Sequence, residues 1–167
     1  LVTRQERDAP GPDATPITAT DAIPGAALLV VTADLARLRE SGLAERLRSE
    51  SRDVPGLGDI RQARGFDPLE RFDAADFAIP GGGADGDFGL SVLGRPVSSD
   101  QLLACTTKVI EARGGRPLSS VLGSFQTVRD VGGGAPAGEI AGRPGGPFLL
   151  GAGSYLRAMV DAADGRV

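Results

Sequence analysis

Apolar residues in this chain fall into short runs and short-period alternations, punctuated by glycine and proline. Ala26-Ala27-Leu28-Leu29-Val30-Val31 is a continuous apolar run between Gly25 and Thr32, and it predicts a strand covered on both faces. Asp34 stands where it can cap a helix. Leu35, Leu38, Leu43 and Leu47 spread too widely around one cylinder for a straight amphipathic helix. A break at Ser41-Gly42 is therefore expected, with a second helix from Leu43 to about Ser51. Pro55-Gly56 marks a turn, and Leu57 to Arg64 a short helix. Asp67-Pro68-Leu69-Glu70 combines a cap, a proline at the first helical position and a carboxylate that reaches back, which makes one helical turn. Ala75, Phe77 and Ile79 alternate with Ala74, Asp76 and Ala78, while Phe88, Leu90 and Val92 alternate with Gly89, Ser91 and Leu93. These are two half-buried strands joined by a glycine-rich hairpin.

Ser98 or Ser99 caps the clearest helix, whose apolar face is Leu102, Leu103, Thr106, Val109 and Ile110 and which Gly114-Gly115 stops. Leu118 to Val131 reads as one strand with weak alternation around Val121 and Phe125, broken by Gly132-Gly133-Gly134. Ile140 and Phe148-Leu149-Leu150 mark two short strands. Ser154 is read as the cap of a last helix, with Tyr155 over Met159 and Leu156 over Val160. Paired strands between helices predict an α+β fold, a mainly antiparallel sheet with helices packed on one face. Residues 25–167 form that single domain. Residues 1–24, with Pro10, Pro12, Pro16 and Pro24 and few large apolar side chains, read as an extended proline-rich arm.

Composition narrows the chemistry. The 167 residues suit one domain, and with 4% aromatic residues and no Trp the core must be built from Leu, Val, Ile and Ala. His is absent, which removes His-based triads and most zinc sites. One Cys allows no intrachain disulfide and no Cys-rich metal site. A net charge of −4 argues against a nucleic-acid partner. The arginines from Arg37 to Arg52 interleave with Asp34, Glu40, Glu45, Glu50 and Asp53, and so read as a solvated helix face. No apolar run has the length of a membrane span. The chain opens on Leu1 rather than Met, so a removed leader or a fragment is expected.

Motif by motif, the structural reading outweighs the chemical one. Gly81-x-Gly83-x-x-Gly86 has the spacing of a dinucleotide fingerprint, but a strand follows it instead of a helix, and Asp85 and Asp87 would repel phosphate. Cys105 lies at the edge of an apolar helix face and lacks a histidine base, which favours packing over nucleophilic catalysis. Asp73 with Asp76, or Glu139 with Asp130, could form a carboxylate pair for His-free hydrolysis, and solvated carboxylates are the simpler reading. No cofactor and no metal is expected.

The order of a strand, Asp-Leu-x-x-Leu-Arg-x-Ser (Asp34 to Ser41), Gly-Phe-Asp-Pro-Leu (Gly65 to Leu69) and a further strand, closing on Gly151-Ala152-Gly153-Ser154-Tyr155-Leu156-Arg157, resembles uncharacterised secreted or lipoprotein-type domains of GC-rich bacteria. The resemblance covers residues 24 to about 163 and implies an envelope or extracellular location. It carries no activity and no catalytic residue. The lipidated Cys of such a mature N-terminus is absent. The expected function is a non-enzymatic interaction or accessory subunit of a bacterial assembly, periplasmic or extracellular, with the cytoplasm not excluded. It would dock on other protein subunits through the arm, with Arg4 and Arg7 pairing acidic groups and Val2, Ile17 and Ile23 filling shallow pockets. The alternatives are a small-ligand-binding domain and a His-free enzyme using carboxylates. A pocket holding several of Asp73, Asp76, Arg95, Arg129 and Glu139 would favour either of these.

Overall fold

A computed structural model describes residues 18–50, 68–82, 87–94, 98–132, 138–152 and 154–166. Most of the arm, the Leu57–Arg64 helix, the Asp67 cap and the tip of the Gly81–Gly86 loop lie outside the described residues. Seven strands form one sheet: β1 (Ala27–Asp34), β2 (Ala74–Pro80), β3 (Gly89–Leu93), β4 (Pro117–Leu122), β5 (Phe125–Asp130), β6 (Glu139–Gly142) and β7 (Phe148–Gly151). Their order is β1-β2-β3-β7-β6-β5-β4, and every neighbouring pair is antiparallel. The helices are α1 (Leu35–Arg39), α2 (Leu43–Glu50), α3 (Pro68–Arg71), α4 (Ser99–Ala112) and α5 (Tyr155–Ala163), with a 3-10 turn at Thr20–Ala22. This is the α+β, antiparallel fold that the hydrophobic pattern predicts.

The helices divide between the two faces of the sheet instead of sharing one. A Cβ on Gly89 would lie 2.5 Å from Met159 Sδ and 2.6 Å from the Tyr155 ring, so α5 sits directly on backbone at one face. A Cβ on Gly142 would lie 3.2 Å from Ser99 Cβ, which puts the start of α4 against the other face. Both faces of the central strands carry small or apolar residues, so both demand cover. Phe125, Leu149, Leu156, Met159 and Val160 form the core under α5, which the 3-10 turn closes with Ala22. Leu35, Phe72 and Phe148 form a second cluster on the opposite face, joined by Leu102 of α4. Phe72 and Phe148 meet edge to face at 5.8 Å between centroids.

Local chemistry accounts for most boundaries. Asp34 caps α1 by accepting from the Arg37 N–H at 2.8 Å, and α1 ends before the Ser41-Gly42 break. Ser98 and Gln101 make a reciprocal capping box on α4. Three expectations are corrected. First, the stretch 118–131 is two strands. Gly123 takes φ +57° while Ser124 keeps a negative φ, so the two form a tight turn of the Gly-X kind, with Leu122 opposite Phe125. Second, Ser154 makes no capping hydrogen bond and already has helical backbone angles. Third, β1 is an edge strand and is not covered on both faces. Leu28 is 77% exposed and Val31 51% exposed.

Candidate functional site

Among the described residues, six exposed large apolar side chains gather on β1 and β2. In the register of β1 and β2, Leu29 faces Ile79 and Val31 faces Phe77 on one side of the sheet. Phe77 continues across to Leu90, Leu90 to Leu150 and Leu150 to Ile140. Phe77 also stacks on Phe88, with ring centroids 6.2 Å apart. Leu28, Leu29, Val30, Val31, Phe77 and Ile79 all remain exposed. Leu29, Val31, Phe77 and Ile79 leave on the order of 300 Å² of apolar surface in water on one face, the scale of the largest patches on soluble monomers, which are often interaction sites, and Val30 alternates to the other face of the same edge. The α4 helix shares this face but packs on β4, β5 and β6, away from the patch.

The patch is also an edge. Among the described residues no strand pairs with the outer side of β1. Between Ala27 and Ala33 it carries no charge and no proline, the usual devices that blunt a free edge. Its one irregularity is a bulge near Ala27–Leu29, after which six residues pair one for one with β2. The opposite edge, β4, opens on Pro117 and carries Ser119 and Ser120.

Of the residues singled out for docking, Val2, Arg4, Arg7 and Ile17 lie outside the described residues. Ile23 is half-buried and packs against the chain's own core. The segment that carries it is tied down. Thr18 donates from N and Oγ1 to Asp21 Oδ2 at 2.7 and 2.8 Å, Thr20 Oγ1 donates to Asp76 Oδ2 at 2.9 Å, and Ala19 and Ala22 are buried.

The carboxylate pairs do not assemble. Asp73 is bound by Arg39 at 2.7 Å, whereas Asp76 is buried beneath Thr20. Glu139 accepts from Thr127 Oγ1 at 2.5 Å. Asp130 Oδ1 accepts from the backbone N–H groups of Gly132 and Arg116 at 2.7 and 2.8 Å, and these bonds hold its carboxyl below the ordinary value of 3.8. Glu139 shares a sheet face with Arg129, and Asp130 points to the other. Cys105 is half-buried on α4. Among the described residues no group of three or more His, Cys, Asp or Glu side chains is arranged to hold a metal, and no helix is long and apolar enough to cross a membrane.

Two further features bear on ligands. An open groove of about 340 Å³ runs between α4 and β4–β5, lined by Leu103, Thr107, Ser119, Val121 and Gln126 among others, and it contains none of Asp73, Asp76, Arg129 or Glu139. Under the 3-10 turn and α5, three buried polar atoms have no hydrogen-bond partner among the described residues: Asp76 Oδ1, Ser91 Oγ and Tyr155 Oη. Asp76 and Ser91 are cross-strand partners, and Tyr155 lies over Gly89 on the same face, where burial pushes its phenol pKa up.

The sequence does not reveal the apolar patch because consecutive apolar residues give the same pattern in a covered central strand and a bare edge strand. The missing signal is topological: β1 is followed by short helices that fold toward α3, and among the described residues no later strand returns to its outer side. Comparison of the chain with protein-family models, with curated proteins and with solved structures finds no match.

Proposed function

We propose that the chain is a non-enzymatic interaction subunit of a bacterial protein assembly, and that it binds through the apolar β1–β2 surface. The observation that carries this is the run Leu28–Val31, exposed on both sides of an edge that no described strand pairs, with Leu29 and Val31 continuous with Ile79 and Phe77. A soluble domain gains by burying such a surface, and an extended peptide or strand edge is the partner geometry it fits. The proline-rich arm, with Val2, Arg4, Arg7 and Ile17, would add a second strap to the same partner. The resemblance to secreted domains supports a periplasmic or extracellular setting. A small-ligand reading is favoured only by the groove between α4 and β4–β5, which is open and holds no charged side chain.

The test is quantitative co-purification of the tagged full chain from its source cells, with Leu29→Asp and Val31→Asp as paired variants. Both positions are exposed, so the variants should fold with unchanged circular dichroism. Specific partner recovery should fall at least tenfold. Equal recovery by variant and parent would sink the reading.

A further inference from the structure

We infer that residues 18–24 form a lid that opens on its own, hinged at Gly25, and that opening uncovers the buried carboxylate of Asp76. The lid is held weakly. It contains one 3-10 turn, Thr20–Ala22, with the Ala22 N–H donating to the Ala19 carbonyl at 3.3 Å and the Ile23 N–H to the Thr20 carbonyl at 2.9 Å. Against the domain it buries Ala19, Ala22 and Pro24, and Ile23 packs half-buried on the core under α5. These side chains are mostly small, so closure removes only a modest apolar surface from water. Among the described residues, one side-chain hydrogen bond ties the lid to the sheet, from Thr20 Oγ1 to Asp76 Oδ2 at 2.9 Å. Asp21 turns back to Thr18 within the lid.

Closure also buries a group at a disadvantage. Asp76 is 1% exposed, yet its Oδ1 has no partner among the described residues. Ser91, its cross-strand partner, is fully buried and its Oγ has none either. An unpaired carboxylate oxygen held away from water costs more than an alanine methyl returns on burial. Water relieves that cost as soon as the lid lifts. The sheet need not move with it. Beyond Gly25, the Ala26 carbonyl accepts from the Gly81 N–H at 3.1 Å, and β1 pairs with β2 from Ala27 onward. Ala26 is thus the first residue anchored to the sheet, and Gly25, with open space where a Cβ would stand, is the joint between it and the lid. Lifting the lid lengthens the free arm by its own residues, so the device sets how much of the arm a partner can take up. That consequence alone rests on the docking reading, and the opening stands without it.

The experiment reads opening through a thiol, in the full chain with Cys105→Ser. Ala22→Cys puts the thiol under the lid and Ala141→Cys puts one in β6, both at fully buried positions. An excess of an aromatic disulfide reagent should label Ala22→Cys at least about a hundredfold faster than Ala141→Cys. The fast rate should stay constant as urea rises below the unfolding transition, because a small lid exposes little surface. Adding Asp76→Asn, which keeps an acceptor for Thr20 and removes the unpaired charge, should slow that labelling by about threefold or more. Amide exchange at Ile23 in the chain without introduced thiols checks that the thiol itself does not lift the lid. It should show the same indifference to urea and the same slowing with Asp76→Asn. Equal labelling of the two thiols, with the urea dependence of global unfolding, overturns the lid. So does labelling that is fast but indifferent to Asp76→Asn, or an Ile23 amide that opens only with the sheet.

Discussion

Arg143 places its guanidinium carbon 4.7 Å from the centre of the Phe125 ring while donating from Nη1 to Asp164 Oδ1 at 2.7 Å. The same guanidinium reaches Ser124 Oγ at 2.7 Å and the Ala163 carbonyl at 3.1 Å. One side chain thus joins the β4–β5 turn, the strip after β6 and the C-terminal end of α5. Asp164 and Arg143 are mostly shielded, at 8% and 15% side-chain exposure. Without Arg143, Asp164 keeps Arg166 at 2.7 Å and the Ser124 hydrogen bonds, so the loss is smaller than for an isolated buried pair. Arg143→Gln should therefore destabilise the fold by about 1–2 kcal/mol, measured as a shift of the urea midpoint at neutral pH.

The acid limb of stability follows from the same cluster. Burial pushes the Asp164 carboxyl up, but hydrogen bonds from the Ser124 side chain and backbone, with the charges of Arg166 and Arg143, outweigh it and hold the group below its ordinary 3.8. A depressed folded-state pKa contributes stability above the unfolded value and loses it as pH falls through the folded one. Thermal stability should be flat down to about pH 4 and drop below it. Asp164→Asn should start lower and show a shallower drop. An identical pH profile in the variant would contradict this assignment.

Gly89 admits α5 to the sheet because it has no Cβ. Gly89→Ala puts a methyl against Met159 Sδ and the Tyr155 ring, and should cost about 2 kcal/mol by overpacking. Met159→Ala alone opens a cavity at a fully buried site. The two changes together should cost less than their sum, because the new methyl occupies space the shortened side chain vacates. A double-mutant cycle reads the coupling directly.

Asp76 is a buried carboxylate whose only hydrogen bond among the described residues is from Thr20, to Oδ2. Asp76→Asn keeps that acceptor and removes a charge from an enclosed site. The variant should be at least as stable as the parent, by about 0–1 kcal/mol, on chemical denaturation. A loss of more than 1 kcal/mol would show that Oδ1 has a partner such as an ordered water.

Much of the fold was legible in the sequence because the signals are local. Alternation located β2 and β3, the capping residues Asp34 and Ser98 located α1 and α4, and i,i+4 pairs located α5. The stretch 118–131 failed for a reason of scale. Gly123-Ser124 is a two-residue turn between short strands, and one glycine among twenty-five carries little weight until its positive φ is seen. The distribution of helices over two faces was not legible because it depends on where β7 inserts. The functional surface was hidden for a related reason: Leu28–Val31 looks the same whether a neighbouring strand covers it or water does.

The insertion of β7 between β3 and β6 has a consequence for biosynthesis. The sheet consists of two meanders, β1-β2-β3 and β4-β5-β6, which among the described strands are joined in hydrogen bonding through β7. While Phe148–Gly151 is still inside the ribosome, both meanders end on open strands, and the face that α5 will cover has no lid. Long-range closure is left to a stretch translated after both meanders, which makes completion of the sheet late and cooperative. A nascent chain stalled before residue 148 should therefore remain a client of holding chaperones, and release should coincide with the emergence of α5.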